Sequence, residues 1–286
     1  MSRARLGSRF VPGLLLVATA VAAGPALGGG PGVRLADLTW VEAEPVLTRE
    51  RIVVLPLGAA VKEHGPHLLL RNDQILADYL ARRVVDARPV ALLPTLTYGF
   101  YPAFLEYPGS VSLAADTQRD VVAQIVRSIA RYGPRRFYVL NTGVSTARPL
   151  AATVDRLAAE GILLRYSDVS KVGRSAEDRV RQQKLGTHAD EIETSMVLYI
   201  DPSSVRMEKA VADGTADRPG PLTRDPRATT GLVSPSGVFG DARLATRAKG
   251  EAVVERTVAD ILAEIDALAA LPLPVGTPGS PLEAGR

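Results

Sequence analysis

Six consecutive apolar residues, Ile52 to Leu57, constrain this chain more than any other segment. A run of strand length with no polar residue on either side of the pleat marks a strand buried on both faces, as inside a parallel sheet covered by helices. Shorter apolar runs recur at Val90–Leu93, Phe137–Asn141 and Ile162–Tyr166. Between them lie helical patterns. Ile75, Leu76, Tyr79, Leu80 and Val84 repeat at helical spacing over Asp73–Val85, with Asn72 or Asp73 as the expected N-cap. Ser112–Arg131 and Arg148–Glu160 carry similar stripes and end at Gly133-Pro134 and Gly161. Strands and helices alternating at this interval predict βαβ units and an α/β fold, a three-layer α/β/α sandwich with a mostly parallel central sheet. Further on, 168–187 reads as charged and irregular, Thr187–Tyr199 as a helix start, 201–235 as a long loop and Lys249–Leu268 as the last helix.

The ends read differently. Arg3, Arg5 and Arg9 precede an apolar stretch from Phe10 to Ala23, and Val21-Ala22-Ala23 satisfies the small-x-small cleavage preference. This is the anatomy of a secretory signal over 1–23, with a cut after Gly28 as the alternative, so the protein is expected to be periplasmic or secreted. The apolar stretch is short for a bilayer span, and no membrane span is expected after cleavage. Residues 24–37 read as a Gly/Pro-rich linker, 38–270 as the folded domain and 271–286 as a disordered Pro/Gly-rich tail. Removing the three leader arginines leaves 31 basic against 31 acidic residues, so the charge offers nothing to nucleic acid. The absence of cysteine excludes disulfides, a lipoprotein anchor and thiolate metal ligands.

The chemistry concentrates just after the first long strand. Leu55–Asp73 reads LPLGAAVKEHGPHLLLRND and places Lys62, Glu63, His64 and His67 within six residues, with two of the three histidines of the chain. Imidazole and carboxylate together suit zinc, manganese or iron. His64 and Asp73 lie nine residues apart across a short loop and can face one pocket at the strand ends, where ligands of parallel sheets bind. His188 and Glu193, five apart, converge only if His188 precedes the first helical turn. Glu193 is also explained by the helix dipole alone, Asp73 as a helix cap, His67 as a turn residue, and Lys62 with Glu63 as an exposed salt pair. The Gly/Pro/Tyr-rich connection through Tyr98-Gly99 to Ser110 is longer than a routine turn and is a candidate substrate loop.

Five blocks in order, LPLG…EHGPHLLLRND, PTLTYGF…YPGSVSL, FYVLNTG, HADEIETSMVLYIDPSSVR and GVFGDARLAT…KGE, closely resemble the creatininase family of metal-dependent amidohydrolases. The resemblance spans about Leu38 to Leu268. It implies an α/β/α sandwich, two divalent ions (Zn or Mn) at the strand ends, a small-molecule amide-type substrate and a homo-oligomer, often a hexamer. By resemblance His64 is a metal ligand, Asp73 the bridging carboxylate, His188 the proton carrier, and Glu193 a ligand or a support to one. The family glutamate two residues before the metal histidine falls on Lys62, however, and a second family histidine falls on Gly143. Both belong to the same ion in the family, which implies that one of the two sites is degraded. Glu63 is a weak substitute, since neighbours on a strand point to opposite faces. Tyr98, Gly99, His67 and Lys62 are the candidates for contact with substrate.

Two functions follow. The first is an exported metal-dependent hydrolase of an amide or cyclic C–N bond, with His188 and Glu193 as catalytic groups and His64, Asp73, Glu193 and Glu63 around the metal. The alternative is a non-catalytic protein of the same fold that serves as a binding or structural module.

Overall fold

The apolar run folds as expected. In the computed structural model, which describes residues 31–214 and 220–276, β2 (Ile52–Leu57) is buried along its whole length. It lies at the centre of a five-stranded parallel sheet of order β1-β3-β2-β4-β5, with β1 at Val33–Arg34, β3 at Ala91–Leu92, β4 at Arg136–Asn141 and β5 at Leu163–Tyr166. Val53, Leu55, Leu57, Phe137 and Val139 point to one face and meet α3 (Ala115–Ala130) and α4 (Ala147–Ala158) through Val122, Val126, Leu150 and Leu157. Ile52, Val54, Tyr138 and Leu140 point to the other and meet α2 (Asn72–Ala87) and α7 (Arg247–Ala270). The three-layer sandwich and its parallel sheet are thus as the sequence implies.

Four local features differ. Val33–Arg34, placed in the linker, pairs with Ala91–Leu92 as an edge strand, so the ordered fold begins before residue 38, and the short helix α1 (Trp40–Ala43) leads on to β2. A two-residue strand is too short to show a period of its own. The charged stretch 168–187 contains α5 (Arg174–Val180). Its ion pairs Arg174–Asp178 and Arg181–Glu177 carry the polar face, and Ala176 is its only buried residue, a stripe too thin to read. Neither Asn72 nor Asp73 caps α2: Arg71 holds that position without a side-chain bond, because Asp73 is engaged elsewhere. The long loop 201–235 contains short pairings among its described residues, Leu222–Thr223 with Leu232–Val233 among them. The leader 1–23 and residues 277–286 of the tail lie outside the described residues.

The helix that carries Glu193, α6 (Glu191–Ile200), is held against α7 by a close backbone approach. A Cβ on Gly250 would fall 1.8 Å from the Ser195 carbonyl oxygen. Gly250→Ala is therefore expected to push the two helices apart and to cost about 1–3 kcal/mol, read as a lower urea midpoint.

Candidate metal centre

The loops after β2 and before α6 meet at the C-terminal end of the sheet. His64 is 1% exposed and hydrogen-bonded at both ring nitrogens. Nδ1 lies 2.9 Å from the Lys62 carbonyl oxygen, which can only accept, so Nδ1 carries a hydrogen. Nε2 lies 2.8 Å from Asp73 Oδ1 and 3.8 Å from Glu193 Oε1. A bare lone pair aimed at two carboxylates is unfavourable, so this nitrogen needs a proton or a cation.

His188 enters from the other side. It sits before α6, bridged to Phe239, and Ala189 between it and the Asp190 N-cap adopts left-handed backbone (φ 47°). That turn, costly for a non-glycine residue, brings His188 and Glu193 together despite their unhelpful spacing. Nε2 of His188 is 3.0 Å from both the Glu63 carbonyl and Glu63 Oε2, which fixes the hydrogen there and turns Nδ1 toward Glu193 Oε2 at 3.7 Å. One donor atom each from His64, His188 and Glu193 lies within 4.8 Å of the others. Two imidazoles and a carboxylate, with each ring's other nitrogen held by an acceptor, is the donor chemistry of a divalent transition-metal site. The residues fit a divalent ion.

Asp73 is shared. Its Oδ1 faces His64 and its Oδ2 is 2.7 Å from the Lys62 ammonium, with both side chains buried. Burial alone would push the Asp73 carboxyl up, but Lys62 and His64 together outweigh it and hold the group well below the usual carboxylate range. Lys62 is thus no exposed salt pair with Glu63. Glu63 is drawn into the site after all, since residues 62–64 form no strand and the alternation of side chains does not apply.

The substrate candidates separate. Tyr98 is half exposed on its loop, and Gly99 ties that loop through its carbonyl to the Leu113 N–H (2.8 Å). His67 is fully buried, with Nε2 2.8 Å from Thr194 Oγ1 and Nδ1 without a hydrogen-bond partner among the described residues. Burial pushes its imidazole down from 6.5 to about 4. The unfolded chain then binds the proton more readily, so this contribution to stability is complete above about pH 6.5 and is lost as pH falls toward 4. His67→Gln is expected to flatten the fall in urea midpoint across that window.

In the sequence Phe104 and Tyr101 are ordinary members of the Gly/Pro/Tyr-rich connection. Phe104 lies 4.5 Å from the His188 ring and 4.7 Å from the Lys62 ammonium, and Tyr101 lies 5.5 Å from it. Their loop was legible as unusual, but nothing in its spacing says which ring turns inward. The 141–146 block closes on itself: Asn141 Oδ1 accepts from Thr146 Oγ1 at 2.5 Å, and its amide donates to the Gly143 carbonyl at 2.8 Å. A side chain on Gly143 would meet Thr146 at 3.1 Å and Tyr101 at 3.3 Å.

A parallel sheet whose strand ends gather two imidazoles and a carboxylate is an α/β scaffold able to hold a divalent metal ion. The family model Creatininase (creatinine amidohydrolase) matches residues 36–265. Creatinine amidohydrolase of Pseudomonas putida is 27% identical over 248 residues, covering 80% of this chain and 94% of that protein. The mycofactocin precursor peptide peptidase of Mycobacterium ulcerans is 29% identical over 222 residues, 74% of this chain and 84% of that protein. A crystal structure of creatinine amidohydrolase superposes with a TM-score of 0.69 at 25% identity, over 84% of this chain and 99% of that one. Two further creatininase structures, one described with Mn and a mutant of Zn-Zn type, share the fold with TM-scores of 0.68 and 0.67 at 24% and 23% identity, over 84% and 85% of this chain and all of each neighbour. The chain belongs to the creatininase family, whose members are metal-dependent hydrolases of C–N bonds.

Proposed function

We propose that this protein is an exported metal-dependent hydrolase that opens an amide or cyclic C–N bond of a small molecule with one divalent ion, zinc or manganese. The grouping of His64, His188 and Glu193 around one point carries the reading. A divalent ion held there supplies a Lewis acid for the substrate carbonyl and makes water a usable nucleophile near neutral pH. The protein does the rest. Lys62 O and Glu63 fix the ring hydrogens of His64 and His188, so each presents a lone pair. Asp190 caps α6 by accepting from the N–H groups of Ile192 (2.9 Å) and Glu193 (3.0 Å), which sets the Glu193 side chain. Glu193, with its side chain 22% exposed, is the open side of the group and faces incoming substrate.

The Glu63 contact favours a second role for His188, as the proton carrier between water and leaving nitrogen, with Asp73 Oδ1 completing the donor set in its place. His188→Ala separates the two. As a ligand, its loss removes the metal; as a proton carrier, its loss leaves metal content intact and abolishes turnover.

The leader pattern supports export, and a mature N-terminus at Gly24 or Gly29 in a periplasmic or culture fraction tests it. Among the described residues no helix is long and apolar enough to cross a membrane. Exposed Trp40 and Tyr132 support assembly into a homo-oligomer, read by light scattering. The activity itself is tested on a panel of lactams, formamides and small amides with Zn²⁺ or Mn²⁺ and then with chelator. Chelator-sensitive hydrolysis is expected. A metal-loaded protein inert across the panel would favour the non-catalytic module instead.

A further inference from the structure

The charges around the group are unequal. Asp73 and Glu63 bring two buried carboxylates, the partly exposed Glu193 a third, and Lys62 one buried ammonium. The cluster is two positive charges short of neutrality, the charge of one divalent ion. A second divalent ion would bring two more positive charges beside the Lys62 ammonium, in a pocket where Lys62, Glu63, His64 and Asp73 are each less than a tenth exposed. Unpaired charge at such depth is strongly unfavourable.

Geometry points the same way. A single carboxylate spans the ammonium and the donor nitrogen: Asp73 Oδ2 is 2.7 Å from Lys62 Nζ, and Oδ1 is 2.8 Å from His64 Nε2. The rings of Phe104 and Tyr101 lie 4.7 and 5.5 Å from that ammonium, positions that favour a cation and supply no metal donor of the kind His64 does. On the far side the space above Gly143 is filled by Tyr101 and Thr146, and Asn141 is consumed within its own loop.

We infer that Lys62 is a built-in cation: its ammonium takes the place of a second metal ion, holds the centre to one divalent ion and weakens the grip on that ion. The inference rests on the metal-centre reading of His64, His188 and Glu193. Lys62 is here a positioning residue acting through Asp73.

The test is a titration of chelator-stripped full-length mature protein with Zn²⁺ against a chromophoric competitor, for wild type, Lys62→Met and Lys62→Gln. Circular dichroism and thermal melting run alongside to establish that the variants fold. Wild type is expected to take one equivalent, and both variants to bind the first equivalent about tenfold tighter or more, because a like charge one carboxylate away has been removed. Two tight equivalents in wild type overturn the inference and leave the metal centre standing, as does one equivalent whose affinity is unchanged or weaker in the variants. No binding in wild type overturns the metal centre, and this inference with it.

Discussion

Asp73→Ala is expected to destabilise the protein by about 3–5 kcal/mol, because it strands the Lys62 ammonium in a buried site without its counter-charge. In a chain of this size that corresponds to a fall in Tm of roughly 10 °C. The aromatic faces above Lys62 compensate only in part, since a desolvated cation–π contact contributes about 2 kcal/mol. Lys62→Met combined with Asp73→Leu removes both charges at similar volume and is expected to recover most of the loss. A thermal or urea melt of the single and double variants checks both statements. A single variant within about 1 kcal/mol of wild type contradicts the pairing.

His64→Ala is the second large effect, and it acts on chemistry more than on folding. The ring lies against both Asp73 and Glu193, and its Nδ1 is already committed to the Lys62 carbonyl. Its loss removes one of the two imidazole donors of the group. Metal content is expected to fall to background, and hydrolysis by about 10³-fold, the scale of several kcal/mol of lost charge stabilisation. Far-ultraviolet circular dichroism should not change. Full metal occupancy in His64→Ala would place the ion elsewhere.

The layered architecture was legible because burial on both faces writes itself into Ile52–Leu57 and Phe137–Asn141 without ambiguity. Short or polar elements escaped for equally physical reasons. Val33–Arg34 is recognisable as a strand only through its pairing with Ala91–Leu92, and α5 rests on ion pairs and one alanine. In the site, the residue types around His64 and His188 announced metal chemistry, but their partnerships are tertiary. Lys62 and Asp73 are eleven residues apart in sequence, and only the fold of the loop turns one oxygen of Asp73 to the lysine and the other to His64. The convergence of His188 with Glu193 depends on left-handed backbone at Ala189, where an alanine gives no warning. The alternation that makes Glu63 a weak candidate belongs to strands, and Glu63 lies where there is no strand.

The proposal that His64, His188 and Glu193 hold one divalent ion is checked most directly by X-ray diffraction from crystals of the Zn²⁺-loaded protein, recorded on both sides of the zinc edge. One anomalous peak per chain is predicted, bonded to His64 Nε2, His188 Nδ1 and the Glu193 carboxylate, with the Lys62 ammonium still on Asp73. A zinc-loaded crystal with no peak among these residues, or with a second peak between Lys62 and Asp73, would contradict it.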